Sequence, residues 1–394
     1  MHMHEFLAKE LLSRRGVAIP AGRVAATAED AQKVVQSMTP GRYVVKAQIH
    51  AGDRFANGGI RFADNAGDAR IAAAAMLGKP LVTRQTGLAG EMVRWVYVEE
   101  AVTAITNLYI AIAVDRAAGE IVALGANVPV DDGRVGAVMD RGQLQRTAIR
   151  IEDDKAVADF AGLAARIAPA TVSAAELAAL IERLANMLIE FDAILIEINP
   201  LAVAPGGGFI AVDAKMTVDD NALFRHRDLA SLRQVDANVD GDPTELQADR
   251  RHINYVALDG NIGVVVNGAG LALATLDALV EAGGRPANFM DVRTTATSLD
   301  IAYAFNLVLA NKAVRAVLLN VHGGGMQRCD TIVEGMAIAM RRGNRSLPVV
   351  ARLAGNNADF ARDRLKSFGI KFVEGTSIGD AARRAAAMVS KEVV

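Results

Sequence analysis

Leu7 and Leu11 fall on one side of a 3.6-residue helix over residues 4–15, with Phe6 and Leu12 beside them, and Gly16 follows where a left-handed terminator belongs. This spacing predicts a short amphipathic helix. After Pro20, Thr27 with Asp30 three residues on marks a second helix start, and the apolar run over 43–49, broken only by Lys46 and Gln48, predicts a buried strand. A glycine-bearing loop over 50–59 leads to strand patterns at 94–99, 108–115 and 121–128, the last two joined by a Gly-containing turn, so the first half is mixed α/β with antiparallel hairpins. Ser173 and Glu176 open a helix whose Leu177, Leu180, Ile181, Leu184 and Leu188 dock on a sheet. Residues 193–198 and 209–212 then read as a hairpin joined by Asn199-Pro200 and a loop with Gly206-Gly207-Gly208.

The rhythm changes after the acidic, turn-rich stretch 236–245, which predicts a boundary between domains over 1–240 and 241–394. Short apolar strands follow at 263–267, 288–292, 316–320, 349–353 and 371–374, each with a helical stretch behind it, the signature of a parallel, doubly wound sheet. Ligands of such sheets lie at the carboxyl ends of the strands, here Asn267-Gly268-Ala269-Gly270, Arg293-Thr294-Thr295 and His322-Gly323-Gly324-Gly325.

Composition narrows the class. Basic residues number 43 against 45 acidic, with few aromatics and no basic run, which argues against nucleic acid as a partner. Apolar stretches are cut by charge or glycine before membrane-spanning length, and Met1 to Leu7 shows no basic start with an apolar run. With Cys329 as the single cysteine, a reducing cytoplasm is the expected setting and membrane is not an expected partner.

Lys46 stands out as a cation inside an apolar strand, and burial requires an anion for it, either a nucleotide phosphate or an internal ion pair. Glu197, Asn199 and Asp213 put three oxygen-bearing groups at neighbouring strand ends, a donor set that suits Mg²⁺ alongside nucleotide phosphates; plain turn chemistry is the alternative. In the second half the loop after Asn267 leads into a helix start that can hold an anion, and the glycines after His322 allow a second close backbone approach. His322 itself reads as a packing or hydrogen-bonding residue and Cys329 as a small buried one.

These features come together in six ordered runs: residues 4–9, 45–52, 196–201 (Ile-Glu-Ile-Asn-Pro-Leu), 220–225 (Asp-Asn-Ala-Leu-Phe-Arg), 254–263 and 266–272 (Val-Asn-Gly-Ala-Gly-Leu-Ala). End to end, the chain resembles the β subunits of succinyl-CoA synthetase and its relatives, malate-CoA ligase among them. The resemblance implies an N-terminal ATP-grasp domain followed by a flavodoxin-like CoA-ligase domain that meets an α subunit. It implies that Lys46, Arg54, Glu99 and Asn107 contact ATP or GTP, that Asn199 and Asp213 bind Mg²⁺, and that Glu197 faces a phosphorylated histidine. Asn267, Gly324, Gly325 and Met326 would hold the small carboxylic acid. The histidine and the main CoA site are expected on the α subunit, in an αβ or α2β2 assembly; the acid attacks phosphohistidine and CoA displaces the acyl phosphate.

Three departures from the family pattern border the expected sites. Gly-Gly-Arg-Gly-Lys-Ala-Gly-Gly becomes Gly52-Asp53-Arg54-Phe55-Ala56-Asn57-Gly58-Gly59, where Asp53 must turn outward or pair with Arg54 to avoid repelling phosphate. Asn107 stands where the family commonly has glutamate. Asp-Val-Gly-Gly-Gly-Ala becomes Asp291-Val292-Arg293-Thr294-Thr295-Ala296 at a helix start, where Thr294 or Thr295 is expected to cap the helix and Arg293 adds a cation toward the acid. The expectation is an ADP-forming acid–CoA ligase subunit for an acid other than succinate, malate or another polar acid being examples. The alternatives are an ordinary succinyl-CoA synthetase β subunit and a degenerate, non-catalytic binding subunit.

Overall fold

The computed structural model describes residues 1–88, 90–128, 144–232, 243–249, 251, 253–343 and 345–390, and divides into two compact units, Met1–Asp240 and Gly241–Val394. Residues 236–242 of the expected boundary lie outside the described residues.

The first unit holds two sheets. A four-stranded one runs Gly22–Ala25, Trp95–Glu100, Tyr43–Gln48, Ile60–Ala63, antiparallel throughout. Its Val45 and Ala47 pack under helices Ala28–Gln36 and Ala66–Met76, so alternation turns Val44, Lys46 and Gln48 to the opposite face. Thr27 caps the first of these helices by accepting from the Asp30 amide, as its spacing predicts. The larger antiparallel sheet centres on Thr106–Asp115 and Ala193–Val203, with Leu108, Ile110, Ile196 and Ile198 buried with helix Ala174–Glu190. That helix buries Leu177, Leu180, Ile181, Leu184 and Leu188, each contributing roughly 2 kcal/mol through removal from water.

The expected hairpin of 193–198 with 209–212 is corrected. Ala193–Val203 is one long strand bulged between Ile198 and Leu201; its second half pairs with Phe209–Ala211, and its first half pairs with Ala214–Val218, a strand the apolar pattern did not reveal. Asp213 therefore sits at the joint between two strands. Lys215 and Thr217 alternate with Met216 and Val218, and that short polar alternation hides the strand from a search for apolar runs.

Helix Glu5–Arg14 ends before Gly16, whose φ of 74° is the left-handed terminator expected. Leu7, Leu11 and Leu12 join the core of the larger sheet. Its other side meets the smaller sheet: the Phe6 amide donates to Gln48 Oε1 at 3.3 Å, and Lys9 lies over the Tyr97 ring at 5.2 Å.

In the second unit the sheet order is Asn254–Ala257, Asn288–Asp291, Ile262–Val266, Ala316–Gly323, Val349–Gly355, Phe372–Glu374. Only the Asn254–Ala257 edge is antiparallel; the five others, counted in chain order, lie 2-1-3-4-5, the flavodoxin-like arrangement. Separate cores fill the two sheet faces, one with helices Ser298–Ala310, Cys329–Arg342 and Ala358–Ser367, the other with Ala269–Glu281 and Ile378–Ser390. No described helix is long and apolar enough to cross a membrane.

Candidate functional site

Between the two sheets of the first unit lies a buried cluster of charge. The Lys46 ammonium is 2.8 Å from Glu5, 2.7 Å from Glu99 and 2.6 Å from the Val212 carbonyl oxygen. Lys9, on the same turn pair as Glu5, bridges Glu5 at 2.9 Å and also Glu99. Arg54 donates to both Asp213 carboxylate oxygens at 2.8 Å, reaches Glu5 at 2.8 Å, and gives its other nitrogen to the Ala47 carbonyl. Three cations thus face three carboxylates, which is what makes so many buried charges tolerable.

Electrostatics follow that pairing. Burial opposes the Glu5 charge but is outweighed by Lys46, Lys9 and Arg54, so its carboxyl is held well below the usual glutamate range. Lys46 resists burial through Glu5, Glu99 and Asp213, and its ammonium is held more strongly than an ordinary lysine's. Arg54 behaves likewise through Asp213 and Glu5.

Of the two readings open for Lys46, an internal ion pair is present in this structure. Lys46, Arg54 and Glu99 do converge, but on one another. Glu5 and Lys9 complete the cluster and were missed from the sequence; their only signal is a four-residue spacing on the side of the helix away from Leu7 and Leu11. Asp53 turns away from Arg54 and lies 3.9 Å from the exposed Arg84. Its φ of 58° is left-handed, a conformation that aspartate tolerates better than most residues.

Glu197, Asn199 and Asp213 lie at neighbouring positions. The backbone N–H of Asn199 donates to the Asp213 backbone carbonyl at 3.2 Å, and Glu197 pairs in register with Lys215. Because Ile196 and Ile198 face the core, Glu197 takes the opposite face, which Tyr109 on the neighbouring strand shares. Burial pushes the Glu197 carboxyl above the ordinary glutamate value, against the pull of Lys215. Asn107 is buried on the face that Tyr109 shares, in register with Ala202. Among the described residues no group of three or more His, Cys, Asp and Glu side chains could hold a metal. An amide and a carboxylate nonetheless fit Mg²⁺ if phosphate oxygens supply further ligands, provided Arg54 yields part of its hold on Asp213.

The second unit brings three loops together at the carboxyl ends of its strands. Asn267 follows Ile262–Val266 and exchanges two bonds with His322: its amide donates to the His322 carbonyl at 2.8 Å, and its oxygen accepts from the His322 amide at 2.9 Å. Those strands flank the point where sheet order reverses, where ligands of such sheets bind. The Gly268 amide donates to Asp291 at 2.6 Å, and φ of 95° makes glycine the residue suited to this turn. Gln327, buried, faces the carbonyl oxygens of Arg293 and Thr294 at 3.2 and 2.9 Å, an arrangement that orients its NH2 toward them. Gly324 and Gly325 border open space, while Arg293 and Met326 are exposed beside them. His322 is exposed and engages Asn267 through its backbone, so it does not pack, whereas Cys329 is buried as expected. The helix start is capped by Thr297 in a box with Asp300, rather than by Thr294 or Thr295, because five residues, 292–296, separate the strand end at Asp291 from the first helical turn. Gln327 carried no sequence signal.

Comparison with known proteins agrees with both halves. An ATP-grasp domain model matches residues 2–203 and a CoA-ligase model matches 265–389. The chain is 38% identical to the succinate–CoA ligase [ADP-forming] subunit beta of Acidiphilium cryptum over 99% of its length and 100% of the relative's. It is 40% identical to that of Anaeromyxobacter sp. strain K over 98% of each. In fold it is similar to ATP citrate lyase from Methanothrix soehngenii, with a TM-score of 0.76 at 15% identity over 98% of both chains. With two domain models in this order and relatives matched along their full length, the chain belongs to the family of succinate–CoA ligase [ADP-forming] β subunits, ligases that form carbon–sulfur bonds.

Proposed function

We propose that this chain is the nucleotide-binding β subunit of an ADP-forming carboxylic acid–CoA ligase, working with an α subunit that carries the phosphorylated histidine and most of the CoA site. The convergence of Lys46, Arg54, Glu99 and Asp213 between two sheets carries the reading, because it gathers two cations able to neutralise phosphate and a carboxylate able to bind a metal in one buried cluster. In the nucleotide-bound state Lys46 and Arg54 neutralise phosphate charge and Asn107 contacts the same nucleotide. Asn199 and Asp213 would hold Mg²⁺, which would supply charge neutralisation at the transferred phosphoryl group. Glu197, whose charged form burial disfavours, faces the partner's phosphohistidine. In the second unit Asn267, Gly324, Gly325 and Met326 receive the acid, with amides and the helix end stabilising its charge.

Arg293, a cation beside that loop set, supports an acid other than succinate with a more polar or more strongly anionic body, such as malate. With the purified α/β pair, CoA-dependent ADP release measured over a panel of acids is expected to be poor with succinate; equal or better use of succinate leaves an ordinary succinate-specific subunit. Calorimetry with Mg-ATP separates both from a non-catalytic scaffold: an enzyme binds in the micromolar range, and silence at about 1 mM nucleotide overturns the enzymatic reading.

A further inference from the structure

We propose that the second unit carries a binding site for a small amphipathic organic anion, an apolar chain or ring ending in one carboxylate, at the amino-terminal edge of its sheet. A cavity of about 660 Å³ opens there, lined by Arg341, Lys371, Phe368, Phe372, Leu347 and Met388 among others. Such a volume lies within the range of about 300–1,000 Å³ typical of small-molecule sites.

Its origin is topological. Val349 and Phe372 are paired first residues of the last two parallel strands, and the outer strand, Phe372–Glu374, stops after three residues. Helix Cys329–Arg342 packs on one face of the sheet and Ile378–Ser390 on the other, so Met340 and Met388 line the space from opposite layers around a strand too short to fill it. Asn267 and His322, at the carboxyl ends of their strands, belong to the opposite end of the sheet.

The lining chemistry selects the ligand. The walls are aliphatic and aromatic, and the only ionisable groups among the lining residues are Arg341 and Lys371, with no carboxylate. Neighbouring cations are already paired, Arg364 with Glu334 at 3.2 Å and Lys366 with Asp363 at 3.6 Å, whereas neither Arg341 nor Lys371 has a carboxylate partner among the described residues. The Arg341 guanidinium is steadied over the Phe368 ring at 4.8 Å, which aligns it without neutralising it. Two uncompensated cations on the rim of an apolar cavity favour a ligand that buries hydrocarbon while presenting one negative group. A neutral molecule leaves both cations unused, and a highly charged one leaves the apolar walls unused.

The test uses the full-length chain, with anilinonaphthalene sulfonate as fluorescent reporter and octanoate as competitor. Saturable fluorescence displaced by octanoate is expected. The R341A/K371A variant should weaken both ligands about tenfold or more, Val373→Trp, at a half-exposed lining position, should weaken them by filling the space, and K366A, outside the lining, should leave them unchanged. If the double variant melts early, K371A alone, at an exposed position, supplies the same comparison. The proposal is overturned if no saturable signal appears, if octanoate fails to displace the reporter, or if the charge-removed protein binds as well as the parent. It is equally overturned if sedimentation shows a dimer whose dissociation, forced by Val373→Trp, is what exposes the reporter site.

Discussion

Glu5 is the residue on which the buried cluster turns, since among the described residues it alone touches Lys46, Lys9 and Arg54. Replacing it by glutamine leaves three buried cations against two carboxylates, and Glu5→Gln is expected to cost about 3–5 kcal/mol in urea unfolding at neutral pH. Its folded carboxyl titrates below the unfolded one, so its stabilisation is present above the ordinary glutamate range and is lost as pH falls toward the folded value. The E5Q variant should therefore show a flatter acid limb of stability against pH, and an unchanged slope would contradict the pairing. Glu197 has the opposite sign: its raised folded value gives a contribution fully present below the unfolded value and lost as pH rises through the folded one. Glu197→Gln should accordingly melt no earlier than the parent at neutral pH while losing about a hundredfold or more in ligase turnover with the α subunit. At this scale the sequence marked Lys46 as a cation in need of an anion. It left the choice of anion open because Glu5 lies 41 residues before it, and Arg54 finds Asp213 159 residues away. Nothing local encodes such distances.

Among elements, helix Glu5–Arg14 does two jobs that its pattern shows only by half. The leucine side, legible from spacing, docks on the larger sheet, while Glu5 and Lys9, which on any isolated helix look like a solvated pair, are buried against the smaller one. Strand Ala214–Val218 was illegible for a related reason, because its partner rather than its own composition makes it a strand. The Ser298–Ala310 helix supplies a clean measurement: Thr297→Ala removes the capping box and should cost about 1 kcal/mol in denaturant unfolding. Gly355 tests the loop layer of the second unit. Its φ is 81°, and a methyl there would fall 2.2 Å from the Gly323 carbonyl, so Gly355→Ala should cost about 1–3 kcal/mol in the same assay. It should also raise the KM for the acid more than it lowers kcat, because Asn356, the next residue, ties Gly324 through its side-chain amide.

For the whole molecule, each unit has cores of its own, so ligand linkage should be felt unit by unit. In scanning calorimetry, Mg-ATP at about a hundred times its Kd should add about 2.7 kcal/mol to the unfolding of the first unit. Absence of any shift would leave the cleft without nucleotide. The alternation of strand and helix after residue 260, the amphipathic helices, the caps at Thr27 and Ser173, and the glycine-rich strand ends were readable in one dimension, because hydrophobic period and turn chemistry act over a few residues. Tertiary structure alone decided that Lys46 meets Glu5 and Glu99, that Arg54 grips Asp213, that Gln327 ties the Arg293 loop, and that Arg341 and Lys371 share one cavity. Charge pairing and cavity shape depend on which distant segments the packed sheets bring within a few ångströms, and periodicity along a chain carries no information about that.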